Sequence, residues 1–174
     1  MNIKNIILIG HSYGGRIIIK INSEDNIDFN IEKNILIDSA GIKKNQTLKT
    51  KIKIFTYKLS KNVLNIIPDK NKKEELLNKL KSKFGSNDYN NATPIMRETL
   101  VKSVNEDLTM YLKNMRETLL IWGENDKDTP LSDAKIMEKE IKNTGLVILK
   151  GCGHFSFIED RYTFERVIKS YLKI

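Results

Sequence analysis

Apolar residues fall along this chain in short continuous runs separated by longer polar stretches. Asn5–Gly10 ("NIILIG") and Asn34–Asp38 ("NILID") are two such runs, each closed by a small or polar residue. Thr118–Trp122 ("TLLIW") and Leu146–Leu149 ("LVIL") repeat the pattern. A short aliphatic run without alternation predicts a strand buried on both faces, as in a parallel sheet. Between the last two runs, "TPLSDAKIMEKEIKN" predicts a helix with Thr129 as N-cap and Pro130 at the first helical position. Strand, helix, strand at this spacing is a right-handed crossover unit. The C-terminal "RYTFERVIKSYLKI" sets Phe164, Val167, Ile168 and Tyr171 on one helical face.

The middle of the chain carries a different period. Leu48, Ile52, Phe55, Leu59, Val63 and Ile66 recur at spacings of four and three, which form one narrow stripe on a helix, and Lys53, Lys58 and Lys61 fall away from it. Pro68 closes this helix, "KKEELLNKLKSKFG" predicts a second with Gly85 as its stop, and Thr93-Pro94 opens a third through Met96, Leu100 and Val104. The expected organisation is therefore a core of residues 1–42 and 116–174, with residues 43–115 a helical insertion between the second and third strands. Helices inserted at the C-terminal edge of a parallel sheet would form a lid. One segment is in conflict: the three consecutive isoleucines of "GGRIIIKI" favour a strand by propensity. A helix is expected there because a turn at Ser12 demands a reversal of the chain.

Composition narrows the class. With 174 residues, 40% of them hydrophobic, the chain can bury the core of one globular domain. Its single cysteine, Cys152, excludes an intrachain disulfide and suits a reducing, cytoplasmic compartment. The N-terminal apolar run is too short for a secretory signal, and no stretch reaches the length of a membrane span. The formal net charge of +8 is uneven: residues 43–83 hold thirteen lysines against Asp69, Glu74 and Glu75, a net +10. No basic-aromatic motif accompanies that charge, so solvated helix faces are expected and not a nucleic-acid surface.

The chemistry begins at "GHSYGG", where Ser12 sits between glycines on a predicted strand-to-helix turn. Such a turn is strained and crowds its neighbours; Gly10 and Gly14 would relieve that crowding, and Gly15 would let the helix approach the sheet. The plain alternative for Ser12 is a helix N-cap. A serine hydroxyl becomes a nucleophile when a base takes its proton, usually a histidine held by a carboxylate. The chain has two histidines, and His11 adjoins Ser12 on the same turn, with its side chain expected to point away. His154, in the Gly-rich "KGCGHFSF" after the last strand, lies at the same sheet edge as Ser12. For the carboxylate, "IWGENDKDTP" offers Asp126 and Asp128, and "LIDSAG" offers Asp38. Asp128 could equally cap the following helix and Asp38 could close a turn. One cysteine and two histidines are too few for a zinc site, and no metal or cofactor is expected.

"GHSYGG", "LLIWGENDKDTP" and "GCGHFSFIED", in this order, resemble the nucleophile, acid and histidine motifs of the α/β-hydrolase fold superfamily. The resemblance implies the C-terminal portion of an α/β-hydrolase sheet, about four parallel strands flanked by helices, with an inserted helical lid. It implies Ser12 as nucleophile, Asp126 as acid and His154 as base. Asp126 takes the acid's place in the Gly-x-x-Asp-x-x-x-Pro pattern from Gly123 to Pro130, with Asp38 and Asp128 in reserve. The backbone N–H of Tyr13 would be one oxyanion donor. The family's second donor comes from a loop after an early strand, and that family places several strands before the nucleophile strand, which here begins close to Met1. The expected function is acyl transfer from an ester, thioester or related bond of a small-molecule substrate to water. The alternative is a truncated or non-catalytic α/β-hydrolase-like fragment acting as a binding or interaction module. The nucleophile strand would be an open sheet edge, suited to self-association or to a complementing N-terminal segment.

Overall fold

Four parallel strands pair in sequence order: β1 (Asn5–His11), β2 (Asn30–Ile37), β3 (Thr118–Gly123) and β4 (Thr144–Leu149). The computed structural model describes residues 4–43, 48–64, 68–69, 72–77, 79 and 92–174. The helices are α1 (Tyr13–Asn22), α2 (Leu48–Leu64), α3 (Pro94–Asn105), α4 (Leu131–Glu140), α5 (Ser156–Glu159) and α6 (Arg161–Leu172), with a 3-10 turn over Thr109–Asn114. No helix among the described residues is long and apolar enough to cross a membrane.

The apolar runs of the central strands β2 and β3 are buried because both faces of the sheet are covered there. Leu36, Leu120 and Trp122 point to one face, where Ile18 and Ile19 of α1, Ala134 and Met137 of α4 and Leu112 of the 3-10 turn close over them. Ile35, Ile37, Leu119 and Ile121 point to the other, against Phe157 of α5 and Phe164, Val167, Ile168 and Tyr171 of α6. The isoleucines of "GGRIIIKI" are helical, so tertiary burial of Ile18 and Ile19 overrides their strand propensity.

Two strands start earlier than their apolar runs. Residues 30–33 of β2 pair only with β1, and Thr144 and Gly145 begin β4. These starts are partly open to solvent, so they carry polar or small residues that do not read as buried strand.

The chain divides into two compact units, Met1–Lys43 with Glu106–Ile174, and Lys44–Asn105. The first holds the sheet. Residues 106–115, expected within the insertion, belong to it: Leu108, Leu112 and Met115 are buried in its core, and Leu108 N–H donates to the Gly41 carbonyl. Arg16 on α1 reaches the Glu106 carbonyl at 2.8 Å and ties down the returning chain. The second unit contains α2 and α3; α2 runs to Leu64, and Thr93 caps α3 by accepting from Met96 N–H. Residues 72–77 are helical, while the stop expected at Gly85 lies outside the described residues.

Candidate active site

β1 delivers Ser12 into a backbone that only a tight turn produces, with φ 50° and ψ −111°. A non-glycine residue held there costs on the order of 1–3 kcal/mol and needs its surroundings to enforce it. Ser12 N–H donates to the Ile37 carbonyl, while Gly15 N–H and Ala40 N–H both donate to the Ser12 carbonyl. Although Ser12 stands at the N-cap position of α1, its side chain makes no cap hydrogen bond. The hydroxyl instead lies 3.0 Å from Nε2 of His154.

The flanking glycines divide the work differently from the expectation. A Cβ at Gly10 would sit 2.7 Å from the Gly14 carbonyl carbon, and one at Gly15 would sit 1.7 Å from Ser39 Oγ. A Cβ at Gly14 would meet nothing within 4 Å among the described residues. Gly14 is therefore approached by its neighbour and relieves no crowding through its own missing side chain.

His154 Nδ1 lies 2.9 Å from Oδ2 of Asp126. An ionised carboxylate can only accept, which places the imidazole proton on Nδ1 and leaves Nε2 to accept from the Ser12 hydroxyl. Burial pushes the Asp126 carboxyl up. Hydrogen bonds from Thr129, His154 and the backbone N–H groups of Thr129 and Asp128 outweigh burial and hold it below the ordinary carboxylate range. The carboxylate accepts from Asp128 N–H at 2.8 Å, from Thr129 N–H at 2.9 Å and from the Thr129 hydroxyl at 2.6 Å.

Thr129 was expected as the N-cap of α4, but that helix starts from Pro130 without a side-chain cap. Its hydroxyl instead serves the carboxylate, shares its one proton with the Asp38 carbonyl at 2.9 Å, and lies 3.3 Å from His154 Nδ1. Thr129's own carbonyl accepts from the fully buried Trp122 indole at 2.7 Å. The local string Thr-Pro before a helix signals only the cap.

Neither carboxylate held in reserve has a hydrogen bond to His154 among those seen. Asp38 is buried, and its carboxylate accepts from Gly123 N–H, Ser156 N–H and the Ser156 hydroxyl. Burial raises its carboxyl above the ordinary value despite those bonds. Asp128 is exposed and meets Asp126 through its backbone N–H. Asp126, Asp128 and His154 each offer a ligand atom within 4.8 Å of the others. Asp126 Oδ2 is committed to His154 and Thr129, so a cation there would have to displace the Nδ1 hydrogen bond.

The loops themselves are held by backbone bonds. Asn125 N–H donates to the Cys152 carbonyl, and a Cβ at Gly123 would lie 2.1 Å from the Gly153 carbonyl oxygen. Glycine at 123 therefore lets the loop with Asp126 lie against the loop with His154. Glu159 accepts from Gly153 N–H and Phe155 N–H on either side of His154. His11 turns toward this loop as well and donates from Nε2 to the His154 carbonyl. Cys152 is buried, which pushes its thiol up and away from thiolate chemistry.

A family model described as TAP-like protein matches residues 90–174, just under half of the chain, with β3, β4 and both loops. A 2-hydroxy-6-oxononadienedioate/2-hydroxy-6-oxononatrienedioate hydrolase of Pseudomonas putida is 38% identical over 56 residues, which are 32% of this chain and 20% of that protein. An esterase from Exiguobacterium antarcticum superposes with a TM-score of 0.65 at 21% identity, over 98% of this chain and 68% of its own. A meta-cleavage product hydrolase from Pseudomonas fluorescens gives 0.62 at 20% identity, over 98% of this chain and 65% of its own. The chain has the α/β-hydrolase fold. Within that fold its sheet corresponds to the C-terminal strands, and it spans about two thirds of the solved structures it matches.

Proposed function

We propose that this α/β-hydrolase chain carries a serine hydrolase site that transfers an acyl group from an ester, thioester or related bond to water. The observation that supports this most directly is the unbroken chain Ser12–His154–Asp126, with links of 3.0 and 2.9 Å. Ser12 Oγ attacks the acyl carbon as His154 Nε2 takes its proton, and the intermediate's oxygen meets Tyr13 N–H at the start of α1. Collapse expels the alcohol or thiol, which receives the proton from Nε2. Water then attacks the acyl-serine by the same route and restores Ser12. Asp126 holds the imidazole by Nδ1–H and offsets its positive charge. Asp38 is engaged with Gly123 and Ser156, which favours Asp126 as the acid.

The helical unit Lys44–Asn105 leaves the core unit after β2 and returns before β3, the insertion point that supports a lid role. The single, buried Cys152 supports a reducing, cytoplasmic setting. β1 ends the four-stranded sheet with Ile7 and Ile9 exposed, which supports a second copy or a complementing segment pairing there. A complementing segment there would bring the second oxyanion donor, a group worth on the order of a hundred- to a thousandfold in rate.

A fluorophosphonate probe tests the reading. It is expected to label the wild-type chain at Ser12 and to leave Ser12→Ala and His154→Ala unlabelled. Short acyl esters and the keto-dicarboxylate named for the P. putida relative are the first substrates to try. A folded wild-type chain that neither labels nor cleaves them would favour the binding-module alternative.

A further inference from the structure

Asp38 is fully buried, yet the mechanism gives it no part. It stands at the end of β2 with a left-handed backbone, φ 44°, while its N–H still donates to the Ile121 carbonyl of β3. Its carboxylate accepts on both sides: Oδ1 from Gly123 N–H at 2.8 Å, and Oδ2 from Ser156 N–H at 3.1 Å and Ser156 Oγ at 2.6 Å. Its carbonyl accepts from Thr129 Oγ at 2.9 Å. These partners bracket the site in the chain. Gly123 lies three residues before Asp126, Thr129 three residues after it, and Ser156 two residues after His154.

We propose that Asp38 is a positioning residue, a role that rests on the acyl-transfer reading above. Its one carboxylate fixes the loop bearing Asp126 against the loop bearing His154, and so sets the separation between Oδ2 and Nδ1. Two acceptor oxygens are required because donors arrive from both sides. An amide has one, and its NH2 would face either Gly123 N–H or Ser156 N–H. The electrostatics support the same role. A second carboxylate near Asp126 is repelled by it, and burial disfavours its charge, so a group that only filled space would be better uncharged.

Asp38→Asn and Ser156→Ala in the full chain provide the test. Three quantities are read: the fluorophosphonate labelling rate at saturating probe, the probe concentration giving half that rate, and the ring 15N shifts of His154. With two histidines in the chain, the His154→Ala variant assigns those shifts. Asp38→Asn is expected to lower the saturating rate by about ten- to a hundredfold with the half-saturating concentration unchanged, as a small misplacement of acid and base would. The His154 shifts should move away from a single Nδ1–H tautomer. Ser156→Ala keeps both backbone N–H bonds and should move rate and shifts the same way by less.

Wild-type rates and unchanged shifts in both variants would overturn the proposal. If Asp38→Asn does not fold, Ser156→Ala decides on the same criteria. If the wild-type chain does not label at all, the acyl-transfer reading fails, and the His154 shifts in variant and wild type still decide whether Asp38 positions the pair.

Discussion

His11 Nε2 donates to the carbonyl oxygen of His154 across 2.7 Å, so the residue before Ser12 grips the residue that faces it. A carbonyl only accepts, which requires a proton on His11 Nε2 whether the ring is neutral or charged. The same ring packs 5.0 Å from Phe157 and 5.4 Å from Phe155. His11→Phe keeps an aromatic ring and loses the donor; His11→Gln keeps a donor and loses the ring. One neutral hydrogen bond is worth about 1 kcal/mol, so His11→Phe should slow probe labelling about fivefold. His11→Gln should slow it less. A larger loss in His11→Gln than in His11→Phe would show that packing, and not the hydrogen bond, carries the effect.

Thr129 makes a second prediction with a definite pH sign. Thr129→Val removes a hydroxyl from a buried carboxylate and should destabilise the chain by about 1–3 kcal/mol at neutral pH, whereas Thr129→Ser should approach wild type. Asp126 titrates below its ordinary 3.8 in the folded chain. Its charged form therefore contributes stability that is present above 3.8 and lost as pH falls through the lower folded value. Thr129→Val raises that folded value, so the part of the gap to wild type that comes from Asp126's charge should shrink below 3.8. Urea denaturation across a pH series measures it, and a gap that widens on acidification would contradict the assignment.

Gly14 and Gly15 look equivalent in the sequence and should behave oppositely. A Cβ at Gly15 would lie 1.7 Å from Oγ and 2.6 Å from Cβ of the buried Ser39, so Gly15→Ala forces α1 off the sheet. Overpacking of this kind costs about 1–3 kcal/mol or more. Gly14→Ala meets open space in a helix and should gain up to about 1 kcal/mol. Adding Ser39→Gly to Gly15→Ala should recover most of the loss, because both clashing atoms are then gone. Chemical denaturation of the three variants decides it.

Much of this arrangement is legible one segment at a time. The central parts of β2 and β3 read correctly because both sheet faces are buried there, and a doubly buried strand is a continuous apolar run, while β1 and β4 read from apolar runs that are only partly buried. The neighbourhood of Ser12, Asp126 and His154 reads for a similar reason: each sits in a short Gly-rich string that ends a strand at one edge. What stays hidden is long-range. Asp38 meets Gly123, Thr129 and Ser156 across 85, 91 and 118 residues, and no local pattern marks such bonds. Thr129 reads as a cap because Thr before Pro is the same string whether its hydroxyl turns to the helix or to a carboxylate. Residues 30–33 stay unread because they pair on one side only and tolerate polar side chains.

The edge of the sheet gives the last prediction. Asn5–His11 contains no Lys, Arg, Asp, Glu or Pro, the devices that normally keep an edge strand from pairing, and Ile7 and Ile9 are 38% and 55% exposed. Ile9 and Ile7 share one face of β1, and a lysine at either position would present charge to any incoming strand. The wild-type chain is expected to show a sedimentation coefficient that rises with concentration. Ile9→Lys should hold it constant, with an unchanged melting temperature because the side chain loses little packing. Mixing the wild-type chain with a peptide able to add a parallel strand should suppress self-association in proportion to peptide bound. A concentration-independent monomer for wild type and variant alike would exclude β1 as a self-association edge and leave the peptide as the partner to examine.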